Sequence, residues 1–154
     1  MNTWLTHPAT VHMPLALSVL MPFVFAFSWW GMSRKFLPIG FGWVLVVVST
    51  IVLLSSGFAF ITGESSKAFS AADADLIAQH EQLAKWFCVI WLGILMGSLV
   101  MQLFPRLRLQ LLRGALILIL ISQALLAVRL GRLGGKIVFS FQQEAFHKLK
   151  RLQA

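Results

Sequence analysis

Four apolar stretches, nearly free of charge, set the pattern of the chain: roughly Pro8 to Trp30, Leu37 to Ile61, Trp86 to Phe104, and Leu111 or Gly114 to Val128. A helix needs about 20 residues, at about 1.5 Å each, to cross a hydrocarbon core. Four such runs in 154 residues predict an all-α, four-helix transmembrane bundle. The first run is expected to be a mature helix and not a signal peptide, because Met1 to Thr6 carries no basic residue and the run ends in Trp29 and Trp30, without a small-residue cleavage site. Pro8 and Pro38 stand where a first helical turn accepts proline. Pro14 and Pro22 fall inside the first run, where each removes a backbone donor and frees the carbonyl four residues back, at Thr10 and Ser18. Gly31 to Lys35 and Pro105 to Arg108 read as short basic turns, and short connectors make antiparallel neighbours.

The only sizeable polar connection runs from Thr62 to Lys85. Ser70 followed three residues later by Asp73 is the pattern of a capping box, and Ala71 to Lys85 holds good helix formers with no glycine or proline. The third helix is therefore expected to begin outside the bilayer and to continue inward without a break. Beyond the fourth span, Gly131, Gly134 and Gly135 are expected to stop the helix. The rest mixes Ile137, Val138, Phe139, Phe141, Phe146, Leu149 and Leu152 with Lys136, Lys148, Lys150 and Arg151, the profile of an amphipathic segment on a membrane surface. The organisation expected is a transmembrane domain over residues 1–135 and an amphipathic basic tail over 136–154.

Composition supports a lipid-solvated protein: 58% of residues are hydrophobic, 12% are charged, and the mean hydropathy is +0.83. Soluble domains carry about 25% charged residues. A single cysteine, Cys88, excludes a disulfide scaffold. The net charge of +8 points to anionic headgroups and not to nucleic acid in so apolar a chain. Arg34, Lys35, Arg106, Arg108 and Arg113 lie at one surface, whereas Lys67, Lys85, Arg129, Arg132, Lys136, Lys148, Lys150 and Arg151 lie at the other. The positive-inside rule works best on short loops and on the first helix, so both termini are expected outside the cytoplasm.

An even number of spans puts both termini and the middle loop on one side, and His7, His12, His80 and His147 all follow that side. His12 lies about one turn into the first span, where an ionisable group suggests function. His80 stands six residues before Trp86 on a face that continues through Ala84, Phe87 and Trp91, and so is directed at the bundle. Imidazoles from two helices of a four-helix bundle can hold a b-type haem, with Arg129 and Arg132 set for its propionates. Headgroup snorkelling is the plainer role for those arginines, and Phe58, Phe60, Trp86, Phe87 and Trp91 also fit an ordinary interfacial belt. The rival chemistry is a Zn, Cu or Fe ion held by His7, His12, Glu64, His80 and Glu81, although Glu81 directly follows His80 and points about 100° away. Gln123 is expected to hydrogen-bond across helices, and Gly93 with Gly97 forms a small-residue pair for close helix approach. No Walker loop, HExxH, GxSxG or CxxCH motif is present, so no NTPase, hydrolase or c-type haem protein is indicated.

Several pieces in order, His7-Pro8-Ala9-Thr10-Val11-His12-Met13-Pro14-Leu15-Ala16-Leu17, Thr62-Gly63-Glu64 with Ala68, His80-Glu81, and Leu133-Gly134-Gly135-Lys136-Ile137-Val138-Phe139, resemble the family of small bacterial membrane proteins designated domain of unknown function 2231. The resemblance implies a four-helix membrane protein with His7, His12, Glu64, His80 and Glu81 in one shared site, and implies no particular activity. The function expected first is binding of a redox cofactor, haem b between His12 and His80, for electron transfer near the outer membrane face. The others are metal handling, or an accessory subunit of a larger membrane complex. An electron carrier or accessory protein is expected in preference to an enzyme. Expected partners are the lipid bilayer, a redox or membrane-complex protein and a second copy as homodimer.

Overall fold

The computed structural model describes residues 3–67, 74–104 and 110–152. Among these there are four α-helices and no strand: α1 (Thr3–Ser33), α2 (Trp43–Lys67), α3 (Ala74–Leu103) and α4 (Gln110–Leu152). All four are long and apolar enough to cross a membrane, and the chain is a multi-pass membrane protein by that measure. The helices pack in sequence order and α4 closes back on α1, so α1 and α3 run parallel to each other on one diagonal. Only about a quarter of each span is buried within the protein. The outward surface carries Phe23, Leu54, Leu118 and Leu125 widely exposed, a surface that lipid solvates and water does not.

Burial follows one seam per helix with alternating steps of four and three residues. The seam runs through Pro14, Ser18, Met21, Phe25 and Ser28 on α1, and through Leu45, Ser49, Val52, Ser56 and Ala59 on α2. It continues through Phe87, Trp91, Ile94 and Ser98 on α3 and through Leu116, Leu120, Gln123, Ala127 and Leu130 on α4. This seven-residue spacing keeps one face of each helix toward the bundle axis. Five serines and one glutamine among the buried residues follow the membrane rule of small side chains for approach and polar ones for interhelical bonds.

The α1–α2 turn closes through a two-bond C-cap. The Phe36 N–H donates to the Gly31 carbonyl at 2.9 Å and the Lys35 N–H to Met32 at 3.1 Å. That pattern requires a left-handed residue after the helix, and Lys35 takes it at φ 58°. Pro38 then caps a short 3₁₀ turn, Ile39–Gly42, ahead of α2.

The third helix begins at Ala74 and runs without interruption to Leu103, as expected; the capping pair Ser70 and Asp73 lies outside the described residues. The expected helix stop at Gly131, Gly134 and Gly135 does not occur. The fourth helix continues through all three for 43 residues, about 65 Å, so residue 135 marks no break in the backbone. Glycine ends a helix when its freedom is used at positive φ, and no glycine here has positive φ. Gly131 instead receives Leu15 of α1 and Gly134 receives His80 of α3. They are places of close approach.

Candidate functional site

Two hydrogen bonds fix how the helices stand against one another. The buried indole of Trp91 on α3 donates from Nε1 to Ser18 Oγ on α1 at 3.1 Å, across the diagonal. The Ser18 hydroxyl in turn donates to the Pro14 carbonyl at 2.6 Å. Gln123 of α4 donates from Nε2 to the Phe87 carbonyl of α3 at 2.9 Å, the interhelical bond expected of it. Its Oε1 is fully buried and has no hydrogen-bond partner among the described residues, nor has Ser49 Oγ.

Glycine contacts extend this register along the bundle. A side chain at Gly134 would touch His80 Nε2 at 3.5 Å, and one at Gly97 would touch Leu116 at 3.2 Å. Seventeen residues along α3 thus match eighteen back along α4. At the opposite end, the Gln102 amide occupies the space over Gly42. Twenty-two residues back from Gln102 lies His80, and twenty-two forward from Gly42 lies Glu64.

Position 7 falls into the same layer. His7 precedes Ser18 by eleven residues and His80 precedes Trp91 by eleven, on parallel helices joined by the Ser18–Trp91 bond. Eleven residues make three turns and return to within about 20° of the starting face. His7 and His80 therefore hold equivalent places on the seams of α1 and α3, about 16 Å from that bond. His80 is half-buried and lies beside Gly134. The backbone thus brings His7, Glu64, His80 and Gly134, one residue from each helix, to one level near the end that carries the termini; three of them continue the seams, while on α2 the seam position is Gly63 and Glu64 stands about 100° round the helix from it. The side chains of His7 and Glu64 lie outside the described ones.

The other sequence candidates differ from this set in level or in face. His12, the expected haem ligand, is exposed and stands about 120° round α1 from Ser18, off the seam. Glu81 is half-buried and paired with Lys85 at 2.9 Å on the same helix. Arg129 and Arg132 are both exposed, and neither faces the bundle interior. The aromatic group divides: Phe87 and Trp91 are buried edge to face at 6.5 Å between centroids, while Phe58 and Trp86 are exposed on the lipid side. Cys88 is half-buried within the third span. Among the described residues no three side chains of His, Cys, Asp and Glu converge as a metal site, so the set of three identified by register depends on positions 7 and 64.

Sequence reasoning weighted His12 by its depth and passed over the seam position of His7. It also missed the Ser18–Trp91 bond, for which the signal was a serine and a tryptophan each eleven residues after a histidine. No family model matches the chain, and no curated protein or solved structure does either. The family resemblance described above therefore rests on its motifs alone.

Proposed function

We propose that the chain is a bacterial inner-membrane protein that holds a first-row transition-metal ion at the end of the bundle carrying its termini, with His7 and His80 as nitrogen ligands and Glu64 as the oxygen ligand. The observation that carries this reading is the equal spacing of His7 and His80 from the hydrogen-bonded pair Ser18 and Trp91. Two histidines and one carboxylate suit iron or zinc and leave coordination positions open. Packed helices lie about 8–10 Å apart, so the diagonal of a four-helix square is about 11–14 Å and inward-facing Cα atoms across it are about 7–10 Å apart. Two imidazoles sharing one ion fill a gap of that order. His12, five residues further into the span and exposed, and Glu81, paired with Lys85, fall outside this set.

Haem b is the second reading, favoured by the diagonal placement of His7 and His80, which is where two axial ligands would stand. A macrocycle between them requires the helices to spread at that level. Iron in either form would supply one-electron chemistry. Metal content and an oxidised-minus-reduced absorbance spectrum of the purified protein separate the readings. Stoichiometric metal without a Soret band is expected, with loss of metal in His7→Ala and His80→Ala and retention in His12→Ala. A stoichiometric Soret band selects haem; metal lost in His12→Ala but kept in His7→Ala overturns the ligand set.

A further inference from the structure

The outward face of α4 changes character abruptly along a single line. Leu111, Leu118 and Leu125, seven residues apart, are 91%, 67% and 69% exposed. Next on the same line come Arg129, Arg132 and Lys136, all exposed, and within about 60° of one another round the helix. The line lies about 150° from the seam through Gln123, Ala127 and Leu130, so these cations face away from the bundle axis and from the candidate metal layer. Among the described residues none of the three has an ion pair, while the acid nearest to them on α3, Glu81, is held by Lys85.

Depth gives this cationic cluster its meaning. Arg129 stands about 27 Å from Leu111 along the helix, Arg132 about 31 Å and Lys136 about 37 Å. A hydrocarbon core is about 30 Å thick, and headgroups add several ångströms on each side. The leucines thus lie at acyl-chain depth and the cations straddle the core boundary, within side-chain reach of the phosphates. Trp86 is exposed on α3, and the register set by His80 and Gly134 places it level with Val128, so an interfacial aromatic anchor marks the same boundary.

We infer that this line of α4 is a binding position for an anionic glycerophospholipid, with the acyl chain along Leu118 and Leu125 and the phosphodiester held by Arg129, Arg132 and Lys136. Guanidinium groups offer paired donors to phosphate oxygens, and the surplus positive charge selects a headgroup with net negative charge over a zwitterionic one. The site is independent of the metal reading, because it faces the opposite side of α4.

Spin-labelled lipids in bilayers containing the full-length protein provide the test. The motionally restricted component should favour phosphatidylglycerol over phosphatidylcholine, and the preference should weaken as salt rises. Arg129→Gln/Arg132→Gln/Lys136→Gln should lower that preference by at least about fivefold, the effect of a single cation at an anionic surface. Arg34→Gln/Lys35→Gln at the other end should leave the slow phosphatidylglycerol component largely intact. The variant Arg129→Lys/Arg132→Lys, which keeps charge and fold, should retain most of the preference. Unchanged selectivity in the triple variant of retained helical content overturns the inference. So does displacement of the lipid by millimolar inorganic phosphate, which would mark a site for free phosphate.

Discussion

The hydrogen bond between Trp91 and Ser18 sets the level of everything proposed at the histidine end, so its energy is the first quantity to measure. Ser18→Ala leaves the buried indole N–H without an acceptor, at about 1–3 kcal/mol. Trp91→Phe removes the donor and leaves a void beside a residue with no exposed surface, at about 1–3 kcal/mol. The loss of the Ser18–Pro14 bond occurs with or without the indole and cancels in a double-mutant cycle. The remaining coupling should be about 0.6–1.7 kcal/mol, the range found for hydrogen bonds between membrane helices. Reversible unfolding in mixed micelles titrated with sodium dodecyl sulfate, followed by far-ultraviolet circular dichroism, gives the four stabilities. Independent sites add within about 0.3–0.5 kcal/mol. A coupling below that limit would show that the indole does not meet Ser18, and the matching of positions 7 and 80 would fall with it.

Lys35→Gly should raise the thermal unfolding midpoint by an amount equivalent to about 1 kcal/mol, since Lys35 holds a left-handed conformation at φ 58° that glycine adopts without steric cost; a lower midpoint would mean the cap is not formed. Gly134→Ala should be tolerated, because its Cβ would meet His80 Nε2 at an ordinary 3.5 Å, whereas Gly134→Leu should push the imidazole outward. Faster modification of His80 by diethyl pyrocarbonate in the leucine variant, but not in the alanine one, is the expected result, and equal rates in both would refute it. Gln123→Leu should change stability by less than about 1 kcal/mol, since it removes the unpartnered Oε1 while α3 itself still supplies a donor to the Phe87 carbonyl; a loss above about 2 kcal/mol would reveal a partner for that oxygen.

The four spans and the inward continuation of the third helix were legible because hydropathy sums over many residues and single exceptions do not disturb it. The phase of each helix was harder to read. In water an apolar stripe marks the buried face, but here the lipid face of α1 carries Phe23 and Phe27 and is as apolar as the seam. Small polar residues mark the seam instead: Ser18 and Ser28 on α1, Ser49 and Ser56 on α2, Ser98 on α3 and Gln123 on α4. Followed outward with the same four-and-three spacing, they point to position 7 and bypass His12. The glycines after Val128 misled for a related reason. Glycine weakens a helix by about 1 kcal/mol, which does not end one whose turns pack against Leu15 and His80 of neighbouring helices.

Charge distinguishes the two ends in a way the total of +8 conceals. All five acids, Glu64, Asp73, Asp75, Glu81 and Glu144, belong to the end with the histidines, where they offset five of eight cations. The other end has Arg34, Lys35, Arg106, Arg108 and Arg113 and no acid. Each cation near an anionic cytoplasmic leaflet contributes about 1 kcal/mol, and the tight turn after α1 presents Arg34 and Lys35 together, in the short kind of loop that dominates orientation. Arg129, Arg132 and Lys136 weigh less, being part of a helix that continues through the headgroup layer. The acid-free end should therefore face the cytoplasm and the histidine end the outside. Single cysteines replacing Phe36 and Ala154, in a Cys88→Ala background, can be labelled in intact spheroplasts with a membrane-impermeant maleimide. Labelling at 154 alone is expected. Labelling at 36 alone would reverse the orientation and put the candidate metal site on the cytoplasmic side, where its partners for electrons or ions would belong to a different compartment.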